Sequence, residues 1–265
     1  MLLVVDVGNT QTHLGVYAGE ELVHDWRFAT VRESTADELG AVLRNLLALR
    51  GMRLEDLTAS IVSSTVPQLR PEWTEMASRY LGHEMPVVGP AVKTGMAIRM
   101  DNPRELGADR LVNAVAAHER LGAPCVVVDF GTAMTFDIVS ADGEYVGGII
   151  APGVEISMEA LTSRAAAIPK IDLTPPRGLI GKGTVEAIRS GVIYGFAAQV
   201  DGIVTRLRGE LGDGTPAIAT GGLAASIVPF CTTLDSVDDL LTLTGLRLIW
   251  ERNSDRHAEW GHVRA

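Results

Sequence analysis

Two stretches of this chain follow one plan. LLVVDVGNTQTHLGVY runs from Leu2 to Tyr17, and CVVVDFGTAMTFDIVS runs from Cys125 to Ser140. Each is an apolar run, an aspartate, a glycine with small polar residues, and a second apolar run. Such a pattern predicts a strand, a tight turn and a returning strand, once in each half. The turns, Asp6-Val7-Gly8-Asn9-Thr10 and Asp129-Phe130-Gly131-Thr132, each combine a carboxylate, a glycine and hydroxyl or amide groups. Glycine lets backbone N–H groups approach an anion, and threonine adds a hydroxyl donor. The carboxylate is suited to hold a cation, or its water shell, against that anion. Two such turns facing each other would grip a polyphosphate from both sides. Two unrelated hairpins with glycine turns are the alternative, and the repetition argues against it.

The rest of the chain repeats in the same order. After the first hairpin, Glu21–Thr30 reads as a third strand. Ser34–Arg50 reads as a helix behind a Ser/Thr cap, Ala59–Ser64 as a short buried strand, and 63–67 as a polar turn. A helix over 69–80 and a short strand near 86–88 follow. The second half has strands at 125–130, 134–140 and 144–151, and a helix from Pro152-Gly153 to about Ser163. Next come a long helix Thr184–Leu211, a strand Ala217–Thr220 and a closing helix Asp238–Leu248. Strands first and alternation afterwards, written twice, is the layout of a duplicated ribonuclease-H-like α/β fold, with two lobes around a cleft. The lobes are expected at 1–121 and 122–250, and the polar segment 251–265 as a loose tail.

Composition narrows the class. A formal net charge of -10 opposes nucleic-acid binding, which needs a basic footprint. Cys125 and Cys231 stand in apolar runs that read as strands, so both are expected as small buried hydrophobes. The six histidines show no ligand spacing with them, which argues against zinc. The N-terminus is too short for a membrane span and lacks a basic leader, so a cytosolic protein with no membrane partner is expected.

A third element, Ala219-Thr220-Gly221-Gly222-Leu223-Ala224, is a strand running into a Gly–Gly turn and a helix. With the two hairpin turns it resembles the acetate and sugar kinase, actin and heat-shock chaperone ATPase superfamily, whose actin-like fold binds ATP between its lobes. In that superfamily the late glycine pair lies against the adenosine. Within it, the chain is similar to type III pantothenate kinases. The resemblance rests on D-x-G-N-T at Asp6–Thr10, D-N-P-x-x-x-G-A-D-R at Asp101–Arg110 and D-F-G-T-A at Asp129–Ala133. It continues with G-G-x-I-x-P-G at Gly147–Gly153 and G-K-x-T-x-x-A-I-x-S-G at Gly181–Gly191. Two departures stand out. Met100 occupies the place of a common tyrosine before D-N-P, and Lys182-Gly183-Thr184 stands where K-N-T is frequent.

The resemblance implies transfer of the γ-phosphoryl group of ATP to pantothenate, the first step of coenzyme A biosynthesis. It assigns nucleotide binding to Asp6, Val7, Gly8, Asn9, Thr10, Gln11, Thr12 and His13, with Thr132 on the second turn. Asp6 would hold a divalent cation such as Mg²⁺, through water. Asp129 would hold K⁺ or NH₄⁺, a fixed charge partly replacing the basic residue other kinases use. Met100, Gly107, Ala108, Asp109, Arg110 and Thr184 would bind pantothenate. Arg110 offers a planar fork for the substrate carboxylate, and Asp109 would accept the hydroxyl proton. Thr184 reads also as a helix N-cap, while Asp109 and Arg110 read also as a first-turn acid and a surface ion-pair partner. Lys170 and Lys182 stay outside the candidate site. A homodimer is implied, with the long helix 184–211 as part of its interface. Two other readings stay open: a nucleotide-binding regulatory protein on the same fold, and another small-molecule kinase or a polyphosphate phosphatase of the superfamily.

Overall fold

A computed structural model of the chain describes residues 1–89, 92–164, 171–256 and Trp260. They form two compact units. The first holds 1–95, 104–116 and 242 onward, and the second holds 96–103 and 117–241.

In the first unit, β1 (Leu2–Val7), β2 (Gln11–Ala18) and β3 (Glu21–Ala29) form a meander, and β4 (Ala59–Ser64) joins β1 in parallel. The sheet order is β3-β2-β1-β4. Side chains alternate across β1. Leu3, Val5 and Val7 enter a core with Leu39, Leu43 and Leu47 of α1 (Ala36–Ala48) and with Trp73 and Met76 of α2 (Leu69–Met76). Leu2, Val4 and Asp6 point to the opposite face. There α7 (Leu241–Glu251) packs Leu243 against Gly15, the β2 partner of Val4. The α7 helix is seated in turn on α3 (Ala108–Leu121): Gly245 meets the Val112 backbone, and the Thr242 hydroxyl donates to Asn113 Oδ1 at 2.7 Å. Asp6 thus lies on the same face of β1 as Leu2 and Val4, the face against which α7 packs.

The α1 start follows its sequence signal. Thr35 is the N-cap, its hydroxyl accepts from the Glu38 N–H at 3.3 Å, and the Glu38 carboxylate accepts from the Thr35 N–H at 2.8 Å. The helix expected over 69–80 is α-helical only to Met76. It closes in one wider π turn over 77–81 that ends at Gly82.

The second unit repeats the plan. β5 (Cys125–Phe130), β6 (Ala133–Val139) and β7 (Tyr145–Pro152) form the meander. β8 (Ala217–Thr220) joins β5 in parallel and β9 (Ser236–Val237) extends the edge, giving β7-β6-β5-β8-β9. Val126, Val128 and Phe130 pack on Ile193, Ala197, Val200 and Val204 of α5 (Thr184–Leu211). α4 (Val154–Arg164) follows β7, and α6 (Ala224–Ile227) follows the Gly–Gly turn. β9 carries only two residues, too short for an alternation signal.

Two readings are corrected, on the closing helix and on Cys231. The closing helix expected at Asp238 begins at Leu241, because the Asp238 carboxylate accepts from the Leu240 N–H at 2.9 Å and from Arg120 at 2.5 Å. Cys125 is buried in β5, but Cys231 follows a 3₁₀ turn and lies outside any strand. The described part of the segment read as a loose tail is packed. Asn253 is fully buried and bonds Lys93 and Ile249, and Trp260 is buried against Trp250 at 5.4 Å. A buried amide with partners for its donors and acceptor anchors a segment whose overall polarity suggested none. The first unit takes in α3 as far as Ala116 and most of α7, and the second unit takes in the rest of α3. Lys170, His257 and His262 lie outside the described residues.

Candidate functional site

Asp6 closes the central strand of the first sheet. It stands opposite His13 in β2 and Ser63 in β4, and it is half-buried. Val7 is wholly in the core, so only its backbone can reach a ligand. The turn is fixed by hydrogen bonds within its own unit. The Gly8 N–H donates to the Gln11 carbonyl at 3.0 Å, the Thr30 N–H to the Thr10 carbonyl at 2.9 Å, and Arg32 to Asn9 Oδ1 at 3.3 Å. Thr12 is buried with its hydroxyl 2.9 Å from that of Thr30, and His13 Nε2 lies 2.9 Å from Asp25 Oδ2. Asn9, Thr10 and Gln11 are left at the exposed tip.

Asp129 occupies the equivalent end of β5, opposite Thr135 in β6 and Thr220 in β8. Thr132 is exposed at the tip. Two glycines from other segments press on this turn. Gly221, with φ +96°, lies so close that a Cβ there would strike the Asp129 carboxylate and stand 2.7 Å from the Phe130 backbone. A Cβ at Gly153 would strike the Thr132 carbonyl and stand 2.7 Å from that of Gly131. Both glycines fall within quoted motifs, yet residue type alone did not assign them to the Asp129 turn. Behind Asp129, Thr135 donates to the buried Asp137 carboxylate at 3.1 Å, which also accepts from the Tyr145 hydroxyl at 2.6 Å.

Asp109 and Arg110 lie in the first turn of α3, in the first unit. Gly107 makes room for the Asp109 carboxylate, which would be 2.5 Å from a Cβ at that position. Burial pushes the Asp109 carboxyl above its ordinary range, while backbone N–H groups and the Arg110 charge pull it down. A partly accessible acid with a raised pKa beside a guanidinium is suited to accept a proton and bind an anion.

Met100 belongs to the second unit and is partly buried. It follows a short extended segment tied to β7 by Arg99 N–H to Tyr145 carbonyl and Tyr145 N–H to Ala97 carbonyl bonds, each 2.8 Å. Thr184 is exposed at the first position of α5. The N-cap is Gly183, with no side-chain cap bond, so the N-cap reading of Thr184 is corrected. Lys182 is exposed. Sequence reasoning also passed over Ser63, which sits in register with Asp6; its only signal was a polar residue ending an apolar strand.

Among the described residues no group of three or more His, Cys, Asp or Glu forms a metal cage. One carboxylate at a turn of oxygen donors fits Mg²⁺, which keeps several waters and takes its remaining ligands from phosphates. Asp129, with hydroxyl and carbonyl oxygens around it, offers the hard oxygen donors an alkali cation requires.

Two sheets of one topology, each with an aspartate turn on its central strand, define the actin-like ATPase fold. An activator of 2-hydroxyisocaproyl-CoA dehydratase from Clostridium difficile superposes with a TM-score of 0.59 at 12% identity, covering 100% of this chain and 99% of that one. Residues 2–206 match the type III pantothenate kinase family, and the chain belongs to it. It is 51% identical over 254 residues to the type III pantothenate kinase of Moorella thermoacetica, covering 96% of this chain and 100% of that protein. It is 52% identical over 264 residues to that of Streptomyces avermitilis, covering 97% and 100%.

Proposed function

We propose that the protein phosphorylates pantothenate with ATP to give 4′-phosphopantothenate, the first step of coenzyme A biosynthesis. The observation that carries this reading is family membership across nearly the whole chain at about half identity. The D-N-P-x-x-x-G-A-D-R string separates it from sugar and acetate kinases, which share the aspartate turns.

In this mechanism the backbone of Gly8–Gln11, with Asn9 and Thr10, holds phosphate oxygens, and Asp6 orients a hydrated divalent cation. Thr132 contributes a hydroxyl to phosphate and Asp129 faces K⁺ or NH₄⁺. Asp6 and Asp129 would hold these cations, which would spread the charge developing on the transferring phosphoryl group. Arg110 and the α3 N-terminus bind the pantothenate carboxylate. Asp109 orients the substrate hydroxyl and accepts its proton at a carboxylate oxygen as the O–P bond forms and the β,γ-bridging P–O bond breaks. Met100 supplies an adaptable apolar wall to the pantothenate pocket, and Thr184 a hydroxyl.

A homodimer fits the surface of the second unit. Ile150, Leu179 and Ile180 are exposed. Ala187, Gly191, Gly195 and Ala198 form an exposed stripe of small residues along α5, with open space at both glycines. Exposed apolar surface of this kind marks a contact face, and small residues let helices approach closely. Action on ATP goes with a cytoplasmic location.

The test is a substrate panel. With ATP, purified protein is expected to phosphorylate pantothenate and to leave acetate, glucose and N-acetylglucosamine unmodified. Preference for a sugar or acetate would replace this reading with that of another kinase of the fold.

A further inference from the structure

Ser63 ends β4 in the row that contains Asp6. In a parallel pair, residues in register project from the same face of the sheet, so Ser63 and Asp6 share the face opposite the α1–α2 core. Ser63 is fully buried, and its hydroxyl has no hydrogen-bond partner among the described residues. The polar groups around it are committed to holding the segment. The Ser64 hydroxyl donates to the Val66 carbonyl at 2.9 Å and accepts from the Val66 N–H. Arg70 donates to the Ser64 carbonyl at 2.8 Å. The Thr65 N–H and hydroxyl both donate to the Val7 carbonyl, at 3.0 and 3.1 Å. The Thr65 bonds fix the strand end against the Asp6 turn and the others fix the 64–70 segment on itself, while the Ser63 hydroxyl makes no hydrogen bond among the described residues. A buried unpaired hydroxyl destabilises a fold, and an apolar residue would serve a structural role better there. The internal repeat places a hydroxyl residue at the same point of the second sheet, Thr220 beside Asp129, after three apolar residues.

We propose that Ser63 is a further positioning residue of the Asp6 turn, its hydroxyl reserved for an oxygen of the hydrated cation–nucleoside triphosphate that the turn receives. This rests on the reading of Asp6 as the nucleotide turn. When that ligand binds, the hydroxyl donates to a phosphate or water oxygen beside the Asp6 carboxylate and gains the partner it lacks in the free protein. Ser63 therefore lowers the stability of the free protein and raises that of the bound one.

The experiment compares wild type, Ser63→Ala, Ser63→Thr and Asp6→Asn by thermal unfolding with and without Mg²⁺–ATP, together with steady-state kinetics. Ser63→Ala is expected to unfold at the wild-type temperature or about 2–4 °C above it when ligand-free. It should lose most of the ATP-induced rise in Tm and raise the KM for ATP about 10-fold or more. Ser63→Thr, which keeps the hydroxyl, should recover much of both. A Ser63→Ala protein with wild-type KM and ATP-induced shift overturns the proposal. So does one whose ligand-free Tm falls several degrees, because the hydroxyl then serves the fold. Asp6→Asn separates the two levels: if it keeps the full ATP-induced shift, the reading of the first turn fails; if it loses the shift while Ser63→Ala keeps it, only the role of Ser63 fails.

Discussion

The two aspartate turns share a sequence plan and a place in their sheets, yet they are held in different ways. The first is shaped by hydrogen bonds among neighbours: Gly8 to Gln11, Thr30 to Thr10, and Arg32 to Asn9. The second is in addition closely packed, with Gly221 against Asp129 and Gly153 against Thr132, from segments 92 and 21 positions further along the chain, and the Leu223 N–H donates to the Phe130 carbonyl at 3.4 Å. A hydrogen-bonded turn tolerates the loss of one bond, because each contributes about 1 kcal/mol. A turn seated on two glycines tolerates no Cβ, because interiors are close-packed and the atoms in the way are backbone. The two turns thus present the same residue types from differently packed surroundings.

The largest effect expected from this contrast comes from Gly221→Ala. Alanine at φ +96° carries about 1–3 kcal/mol of backbone strain, and its methyl group displaces the Asp129 carboxylate. Activity should fall below detection while the purified protein remains folded by circular dichroism. Near-normal turnover would show that the second turn adapts as readily as the first.

Asp109→Asn removes chemistry and leaves both turns in place. A loss of about 10²–10⁴-fold in kcat is expected for a positioned base, with ATP affinity nearly intact. The pH dependence follows from the raised carboxyl. The base form is lost as pH falls through the folded pKa, so the acid limb of kcat/KM in wild type should lie above the ordinary carboxylate value of about 3.9. For stability the folded state holds the proton more tightly than the unfolded one. The stabilising contribution is complete below the unfolded pKa and is lost as pH rises through the folded pKa. Asp109→Asn should then be the more thermally stable protein at neutral pH. A normal kcat, or an acid limb unchanged by the substitution, would return Asp109 to an ordinary helix-start acid.

A smaller effect is expected of Met100→Tyr. A hydroxyl in the pantothenate pocket should lower the KM for pantothenate about 2–10-fold and leave the KM for ATP alone. An unchanged or raised value would mean that the pocket is built around methionine. The smallest belongs to the first turn. Arg32→Ala removes one long, exposed bond to Asn9 and should change the KM for ATP by about twofold or less. A tenfold change would erase the distinction between the turns.

Much of this was legible in the chain itself. β1, β4, β5 and β8 match the short apolar runs because their residues are almost all buried, on both faces of the sheet, and α5 matches its helical period because it buries one stripe in the core of the second unit. The repeated Asp–Gly turns predicted the shared topology. The steric role of Gly153 and Gly221 was not legible, because it depends on which backbone each glycine meets. Nor was the late start of α7, where Asp238 is taken by Arg120 and the Leu240 N–H. The packed Asn253 and Trp260 were hidden by the polarity of the residues around them. Long-range partners such as Arg120 for Asp238 and Lys93 for Asn253 contributed to these cases beyond what local propensity carries.

The claim that both turns serve one phosphoryl transfer is tested most directly by its cation dependence. The rate of 4′-phosphopantothenate formation is measured by mass spectrometry at saturating Mg²⁺–ATP, in K⁺ and in Na⁺ buffers of equal ionic strength, for wild type and Asp129→Asn. Wild type is expected to form product rapidly in K⁺ and at least about tenfold more slowly in Na⁺, and the Asp129→Asn protein to be slow in both. Equal wild-type rates in the two buffers, or an Asp129→Asn protein that still distinguishes K⁺ from Na⁺, would contradict the claim.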